Sequence, residues 1–224
     1  MFAVIFEVQP KSEQWDAYLG LAKMLRPELV QVAGFVDNIR YRSLTRPGRL
    51  LSVSSWRDEK SVVRWRTAVR HHEAQEQGRA EILLDYQLRV GQFTRDTRLP
   101  VGEMLQEQRL DETETGEGTT LTLLDATRPP EWLKNTAAEQ VAHGLGFSST
   151  APGLVAWDVY EAVLTPGDVI LSVLWRDRAA AAAFSDAVLL PDDTRLRSVR
   201  VVRDYGMFDR REAPQYYPAL EKRE

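Results

Sequence analysis

The sequence predicts an α+β fold in which two ferredoxin-like β-α-β-β-α-β repeats pack sheet to sheet as an intrachain pseudo-dimeric barrel. Three observations support this prediction. Strands with period-two alternation of apolar residues and helical segments follow each other in the same order twice. The tripeptide Trp-Arg-Asp stands at 56–58 and again at 175–177, which is 119 positions later. A four-stranded sheet covered by helices on one face leaves an apolar face that a second sheet can cover.

The elements of the first repeat, residues 1–95, are predicted from alternation, capping and turn residues. Asp58 suits the N-cap of a helix because its carboxylate can accept the free backbone N–H groups of the first turn. This helix is predicted to continue to about Gly78. The other elements are a strand from Phe2, a helix opened by Pro10 and Ser12, a strand from Gly34, a strand after the Pro47-Gly48 turn and a strand from Ile82.

The rest of the chain is divided into a linker, a second repeat and a tail. Residues 96–119 are rich in carboxylates and predict an acidic linker, with a short helix around Met104 and Leu105. The second repeat is predicted over 120–209, and we interpret the constant offset of 119 as a tandem duplication. The tail, 210–224, is predicted either to wrap across the other half or to fray; wrapping would use Tyr216, Tyr217 and Leu220.

Composition limits the function classes. A net charge of −4 argues against nucleic acid as the main partner, because phosphate binding depends on concentrated Lys and Arg. The absence of cysteine excludes disulfides, thiolate metal sites and cysteine nucleophiles. The start lacks the basic region of a signal peptide, and no apolar run approaches the ~20 residues of a membrane helix. We therefore expect a cytoplasmic protein without a membrane partner, folded as a single-chain pseudo-dimer, with further homo-oligomerisation left open.

The predicted helix after Asp58 contains the candidate site. On a continuous helix with about 100° per residue, Trp65 and His72 differ by only ~20°. The face toward the sheet is therefore predicted to be Val62, Trp65, Val69 and His72, with Gln75 at its edge and His71 facing solvent. An imidazole and an indole on this face could line a pocket, with the imidazole as general base. The alternative is that Trp65 belongs to the core and His72 is a buried hydrogen-bond partner.

The second repeat indicates which half holds the site. At the offset of 119, the polar candidates are replaced: Trp65 by Phe184, His72 by Pro191, Gln75 by Thr194 and Asn38 by Trp157. We therefore place any site in the N-terminal half and regard the C-terminal half as a structural partner. Tyr41 and Tyr86 recur as Tyr160 and Tyr205, which favours structural roles for both.

The strand-ending Trp56-Arg57-Asp58, the second tryptophan at Trp65, the stretch HHEAQEQGR and the following DYQLRV together resemble the antibiotic biosynthesis monooxygenase (ABM) family. That family belongs to the dimeric α+β barrel superfamily. The resemblance is strongest over 2–94 and weaker over 120–209. It implies a pocket between the sheet and the helices, in which some members oxygenate aromatic polyketides with O2 and without metal or flavin. Other members bind and open haem.

From the residues and the resemblance together we expect a cofactor-independent oxidoreductase, a monooxygenase that oxidises a hydrophobic aromatic or polyketide-like molecule with O2. The predicted catalytic residues are His72 and Trp65, and the predicted substrate contacts are Asn38, Val62, Val69, Gln75 and His71. One alternative is a haem-binding or haem-degrading protein, although haem-degrading members carry their axial histidine where this sequence has Gln75. Another is a non-catalytic protein that binds a small hydrophobic ligand.

Overall fold

The structure is a computed structural model that describes residues 1–99 and 101–220. Eight antiparallel strands form it: β1 (Phe2–Pro10), β2 (Phe35–Ser43), β3 (Leu50–Trp56), β4 (Leu83–Asp96), β5 (Thr120–Thr127), β6 (Leu154–Ala162), β7 (Asp168–Trp175) and β8 (Arg195–Gly206). The helices are α1 (Trp15–Leu29), α2 (Glu59–Arg66), α3 (Val69–Gln77), α4 (Pro130–Lys134), α5 (Ala138–Gly144) and α6 (Arg178–Ala187). A 3-10 turn, Ser12–Gln14, precedes α1, and a π-helical turn, Gly78–Ile82, follows α3.

The strands close into one barrel in the order β1-β3-β2-β6-β7-β5-β8-β4. Each half contributes a four-stranded sheet, β2-β3-β1-β4 or β6-β7-β5-β8, and the two sheets join where β2 pairs with β6 and β4 pairs with β8. The predicted fold class, an intrachain pseudo-dimeric α+β barrel, is confirmed. None of the helices in the described part of the chain is long and apolar enough to cross a membrane.

Alternation along the strands divides the apolar residues between the barrel interior and the helix-covered faces. Ile5, Leu51, Leu123 and Val199 belong to the interior core, together with Tyr41 and Tyr160. Full burial of each such aliphatic side chain contributes roughly 1.5–3 kcal/mol relative to exposure. The structural role predicted for Tyr41 is therefore confirmed, since it packs inside the barrel.

The helix predicted from Asp58 to Gly78 is interrupted. Asp58 caps α2 as expected, accepting from the backbone N–H of Ser61 at 2.7 Å. The helix ends at Arg66, where the Thr67 hydroxyl donates to the Val63 carbonyl at 2.9 Å. Ala68 is extended, with ψ 132°, before α3 begins. The prediction of one continuous helix is wrong. The angles around the helix axis that were predicted between residues before and after the break are therefore wrong as well.

The offset of 119 holds for the second and third strands of each half, is 118 for the first strand and fails for the last strand. Phe35 pairs with Trp56 and Leu154 pairs with Trp175, so these pairs match at 119. Phe2 pairs with Gln92, whereas its counterpart Thr120 pairs with Arg200, which is 108 positions beyond Gln92. The second half has no counterpart of α3, since residues 188–194 lead from α6 to β8 without a helix. The prediction of a single offset is wrong, and Tyr205 does not stand in the register position of Tyr86.

The linker and the tail both pack on the barrel. The described linker residues, 101–119, contain no helix, so the one predicted around Met104 and Leu105 is absent. Leu105 packs on the barrel core, and the Thr113 N–H donates to the Val201 carbonyl at 2.9 Å. Of the two alternatives for the tail, wrapping is the one observed, through Tyr217. Residues 221–224 lie outside the described part.

Candidate active site

A cavity of about 230 Å³ lies between the N-terminal sheet and its helices. Its floor consists of two rows of side chains that cross five strands in the order β2-β3-β1-β4-β8, because residues paired across a sheet point to the same face. One row is Asn38, Ser54, Val4, Val90 and Arg203; the other is Arg40, Ser52, Phe6, Leu88 and Tyr205. The floor is therefore polar over β2 and β3, where Arg40 adds a positive charge, apolar over β1 and β4, and cationic at Arg203 on β8.

Helices and the tail form the other walls of the cavity. The lining residues there include Tyr18, Leu21, Leu25 and Leu29 from α1, Val62, Trp65 and Arg66 from α2, His71 and Gln75 from α3, Arg79 from the π-helical turn, and Arg210, Gln215 and Tyr217 from the tail. The C-terminal tail thus completes a site that belongs otherwise to the N-terminal half.

His71 is held against Trp65 inside this cavity. The two rings stack with centroids 4.3 Å apart and planes 15° apart. His71 Nδ1 lies 2.9 Å from the backbone carbonyl oxygen of Trp65. Because a carbonyl oxygen only accepts, Nδ1 holds the hydrogen and Nε2 keeps its lone pair. Burial lowers the pKa of His71 to about 4, so the imidazole is neutral at physiological pH and can act as a base.

Gln75 connects this histidine to the tail. Its amide nitrogen lies 3.2 Å from His71 Nδ1 and 3.4 Å from His71 Nε2, and its carbonyl oxygen accepts from the Tyr217 hydroxyl and from the Gln215 side chain, both at 3.0 Å. The two donors fix the orientation of the amide and leave its nitrogen toward the imidazole.

The structure brings five of the seven predicted site residues to the cavity: Asn38, Val62, Trp65, His71 and Gln75. The other two, His72 and Val69, are not among the lining residues. Val69 is 73% exposed, so the prediction that it faces the sheet is wrong. His72 points to the tail instead, with Nδ1 3.2 Å from the Tyr217 hydroxyl and Nε2 3.4 Å from Glu76.

The interruption between α2 and α3 explains these differences. The seven-residue spacing of Trp65 and His72 holds a common face only on a continuous helix. The extended Ala68 changes the rotation of α3, so that His71 rather than His72 stacks on Trp65. The expectation that His71 faces solvent is wrong.

Asn38 offers a free acceptor to a ligand. Its amide nitrogen donates to Ser52 Oγ at 2.8 Å and to the Val53 carbonyl at 3.2 Å. Its Oδ1 is buried and has no hydrogen-bond partner among the described residues. An unsatisfied buried acceptor is costly, so this atom favours a ligand that donates a hydrogen bond here.

Sequence reasoning missed the arginines and the C-terminal contribution. Five arginines line the cavity: Arg40, Arg66, Arg79, Arg203 and Arg210. Among the described residues the lining contains a single carboxylate, Glu59, whose two oxygens accept from Arg109 at 2.8 and 2.9 Å. Tyr86 and Tyr205, whose recurrence favoured structural roles, both line the cavity. The possible wrapping of the tail was the one indication in the sequence that the C-terminal half contributes to the cavity. The contribution of β8 could not be predicted, because the pairing of strands from the two halves is known only from the folded barrel.

Comparison with known proteins agrees with this architecture. The family model described as antibiotic biosynthesis monooxygenase, ABM, matches residues 1–77. A protein of Pyricularia oryzae named jasmonate monooxygenase ABM is 45% identical over 224 residues, covering 97% of this chain and 99% of that protein. The chain belongs to the ABM family.

Two solved structures are also similar to this ABM chain, at lower identity. An anthrone oxidase-like protein is 13% identical with a TM-score of 0.35, and the match covers 96% of each chain. A structure described as antibiotic biosynthesis monooxygenase is 18% identical with a TM-score of 0.37, covering 40% of this chain and 95% of that chain.

The C-terminal half of this ABM protein fills the corresponding space with aromatic rings. Phe147 lies 5.3 Å from Trp157 and 6.2 Å from Phe184, measured between ring centroids. Phe184 also packs on Trp175 at 5.0 Å. Trp157 takes the register position of Asn38, so the polar floor of the first half becomes apolar packing in the second.

The cavity residues do not fit a haem. His71 is the one imidazole among the lining residues, and one face of its ring is stacked on Trp65. The cavity volume of about 230 Å³ is below the roughly 300–1,000 Å³ of pockets that hold drug-sized ligands, and a haem is larger than most such ligands. We therefore derive no step through haem. In the described part of the chain, no three His, Asp or Glu side chains are grouped to hold a metal ion.

Proposed function

We propose that this ABM protein is an O2-dependent monooxygenase that oxidises a small, largely apolar jasmonate-type molecule in the N-terminal cavity. The observation that carries the proposal is the neutral imidazole of His71, stacked on Trp65 at the wall of an apolar cavity. The 45% identity to a protein named jasmonate monooxygenase supports jasmonate as the first substrate to assay. The aromatic polyketide class stays a prediction for the same assay.

His71 is proposed as the general base. Its Nε2 lone pair can remove a proton from a carbon next to a carbonyl group, and the resulting enolate is electron-rich enough to react with O2. Ser52 can assist, because its Oγ accepts from Asn38 and keeps its own hydrogen to donate to the substrate carbonyl. Trp65 holds the imidazole in place and excludes water from it.

The electron balance decides whether a co-reactant is needed. Conversion of a methylene to a carbonyl uses one O2 and releases one water, so the substrate supplies all the electrons. Hydroxylation of an unactivated carbon also releases water, but it takes two further electrons and two protons from a donor. We propose the first course, without metal or flavin, as the working chemistry.

The test is turnover of jasmonate under labelled O2, followed by mass spectrometry, with and without added NADPH. Incorporation of one labelled oxygen atom without NADPH supports the proposal, and incorporation that requires NADPH overturns its cofactor-free part. A Soret band that appears and shifts after haem addition would instead favour haem binding. Binding of jasmonate and of an anthrone, without oxidation of either, would favour a non-catalytic binding protein.

Two histidine variants test the assignment of the base. His71→Phe is expected to lower kcat/KM by about 10²-fold or more, a magnitude typical for the loss of a general base. His72→Phe keeps the cavity lining intact and is expected to reduce kcat/KM much less. The reverse order would restore His72, the base predicted from the sequence, and overturn the assignment to His71.

A further inference from the structure

The side of the cavity over β8 has positive charge with which no carboxylate of the described residues forms an ion pair; Asp111 interacts with Arg203 only at longer range. Four arginines form this guanidinium cluster: Arg66, Arg79, Arg203 and Arg210. In the described part of the chain none of the four forms an ion pair with Asp or Glu. Arginine keeps its proton at any physiological pH, so the charge is permanent.

Tyr86 links two members of the cluster. Its hydroxyl oxygen accepts from Arg79 Nη1 at 2.9 Å and from Arg210 Nη1 at 2.7 Å. With both lone pairs used, the hydroxyl hydrogen remains available to donate to a ligand. Arg79 is only 7% exposed, and its other hydrogen bonds go to the backbone carbonyls of Met207 and Pro218.

The other two arginines lie around the same point. Burial raises the pKa of Tyr205 to about 12, while the charges of Arg66, Arg210 and Arg203 act in the opposite direction. The Arg210 guanidinium lies 5.5 Å from the centroid of the Tyr205 ring, and Arg66 and Arg203 line the same cavity. The Nε atoms of Arg66 and Arg210 are buried and have no hydrogen-bond partner among the described residues.

A buried cation without a counter-ion is costly, and unused buried N–H donors add to the cost. A carboxylate removes both penalties, since its two oxygens accept from guanidinium groups in short charge-assisted bonds. We infer that the guanidinium cluster binds the carboxylate of the substrate, so that the free acid, and not its ester, is the form that the protein takes up. This inference rests on the proposed function for the identity of the acid.

The rest of the floor fits such an orientation. From the cluster, the substrate body lies over Val90 and Leu88, then over Val4 and Phe6, which are all apolar. Asn38 and Ser52 stand at the opposite side, on β2 and β3. An acid whose carboxylate meets the cluster and whose apolar body extends over β4 and β1 matches this order of surfaces, with Arg40 as a further cation beside Asn38 and Ser52.

The inference is tested by equilibrium binding of jasmonate and of its methyl ester, measured by titration calorimetry on the full chain without turnover. Wild type is expected to bind the acid about tenfold or more tightly than the ester, because the loss of one charge-assisted hydrogen bond on esterification weakens binding by about that factor. Octanoate and its methyl ester form a second acid and ester pair that does not depend on the identity of the substrate.

Variants locate the carboxylate. Arg210→Gln and Arg203→Gln are each expected to weaken acid binding about tenfold and to change ester binding less than about twofold. Arg211→Gln is the matched control, because Arg211 is the next residue of the same tail and pairs with Asp209 outside the cavity lining. It is expected to bind both ligands as wild type does.

Each outcome decides the inference. Equal affinity for acid and ester in both pairs, or failure to bind either acid, overturns it, as does an equal loss of acid binding in Arg211→Gln. Preferential binding of both acids, lost in the cluster variants, supports it even when jasmonate is not oxidised. In that last case the proposed function fails while the carboxylate site stands.

Discussion

The charge of His71 is set by its burial against Trp65, and this has a consequence for stability. The folded-state pKa is about 4, below the ordinary value near 6.5 of an exposed histidine. As pH falls below about 6.5, this histidine therefore binds a proton in the unfolded chain, whereas in the folded chain it stays neutral until the pH approaches the folded-state value. Stability from this group is fully present above about 6.5 and decreases as pH falls toward 4.

His71→Phe is expected to remove part of the acid sensitivity of the fold. Between about pH 7.5 and pH 5, wild type should lose about 2 kcal/mol of unfolding free energy through this group, and the variant should not. Urea denaturation of both proteins at the two pH values measures the difference. Between about pH 7.5 and 8.5 the two proteins should show the same change, and an equal loss in both at pH 5 would contradict the low pKa.

The choice between His71 and His72 could not be made from the sequence. Composition and spacing identified a helix with two histidines and an indole, and Trp65 does line the cavity. The rotation of the second histidine depends on the extended backbone at Ala68, and neither Pro nor Gly marks that break. Without such a residue, the interruption is a result of tertiary packing rather than of local propensity.

The tail is the element that connects the two halves at the site. Gln215 and Tyr217 both donate to Gln75, and Arg210 reaches Tyr86. Tyr217 is also stacked on His72, with ring centroids 5.8 Å apart. The sequence predicted the aromatic residues of the tail as contacts but could not specify the one used, because Tyr216 and Tyr217 are chemically equal until the chain direction is known.

Tyr217→Phe is expected to loosen the tail. The variant loses the hydrogen bonds to His72 and Gln75, which are worth about 0.5–1.5 kcal/mol each. Trypsin must pull Arg210 out of the cavity to cleave after it, so native-state cleavage between Arg210 and Arg211 should become about tenfold faster.

Mass spectrometry of the tryptic fragments over time measures this cleavage. Tyr216→Phe is the matched control, because Tyr216 is the neighbouring residue and is 90% exposed. It should be cleaved at the wild-type rate. Equal rates in all three proteins would show that the Tyr217 hydroxyl does not hold the tail on the site.

Within the barrel the two halves also share buried charges. Burial alone would raise the pKa of Glu7, but Arg89 and Arg46 outweigh it and hold the pKa below its usual value. Arg89 reaches Asp204 at 3.0 Å and Arg46 reaches Asp158 at 2.7 Å, both in the other half. Removing one member of such a network leaves a buried charge without its partner, which costs about 3–5 kcal/mol.

A related arrangement stands at the other end of the barrel. Arg197 donates to Asp125 at 2.8 and 3.0 Å, and Arg197 and Asp125 match Arg89 and Glu7 at the strand offsets of 108 and 118. Each half therefore supplies an acid and arginine pair to the same interior. The ion pair thus recurs in both halves, as the fold does. The cavity described above lies in the N-terminal half, which lacks the aromatic side chains that occupy the corresponding space in the C-terminal half.

Residues 1–95 expressed alone are expected not to form a folded monomer. The fragment would lose the pairing of β2 with β6 and of β4 with β8, which leaves two open sheet edges and an apolar inner face. Arg46 and Arg89 would lose their partners Asp158 and Asp204 in the other half. Exposed edges of this kind pair with another copy, so the fragment should form a dimer that imitates the barrel, or aggregate.

Size-exclusion chromatography with light scattering gives the mass of the fragment, and far-UV circular dichroism gives its secondary structure. The full chain, run under the same conditions, shows the signal of the intact fold. A fragment dimer should regain the sheet signal but not the carboxylate affinity of the cavity, because Arg203 and Arg210 belong to the other half. A soluble and fully folded monomer of residues 1–95 would contradict the account in which each sheet needs the other to cover its inner face.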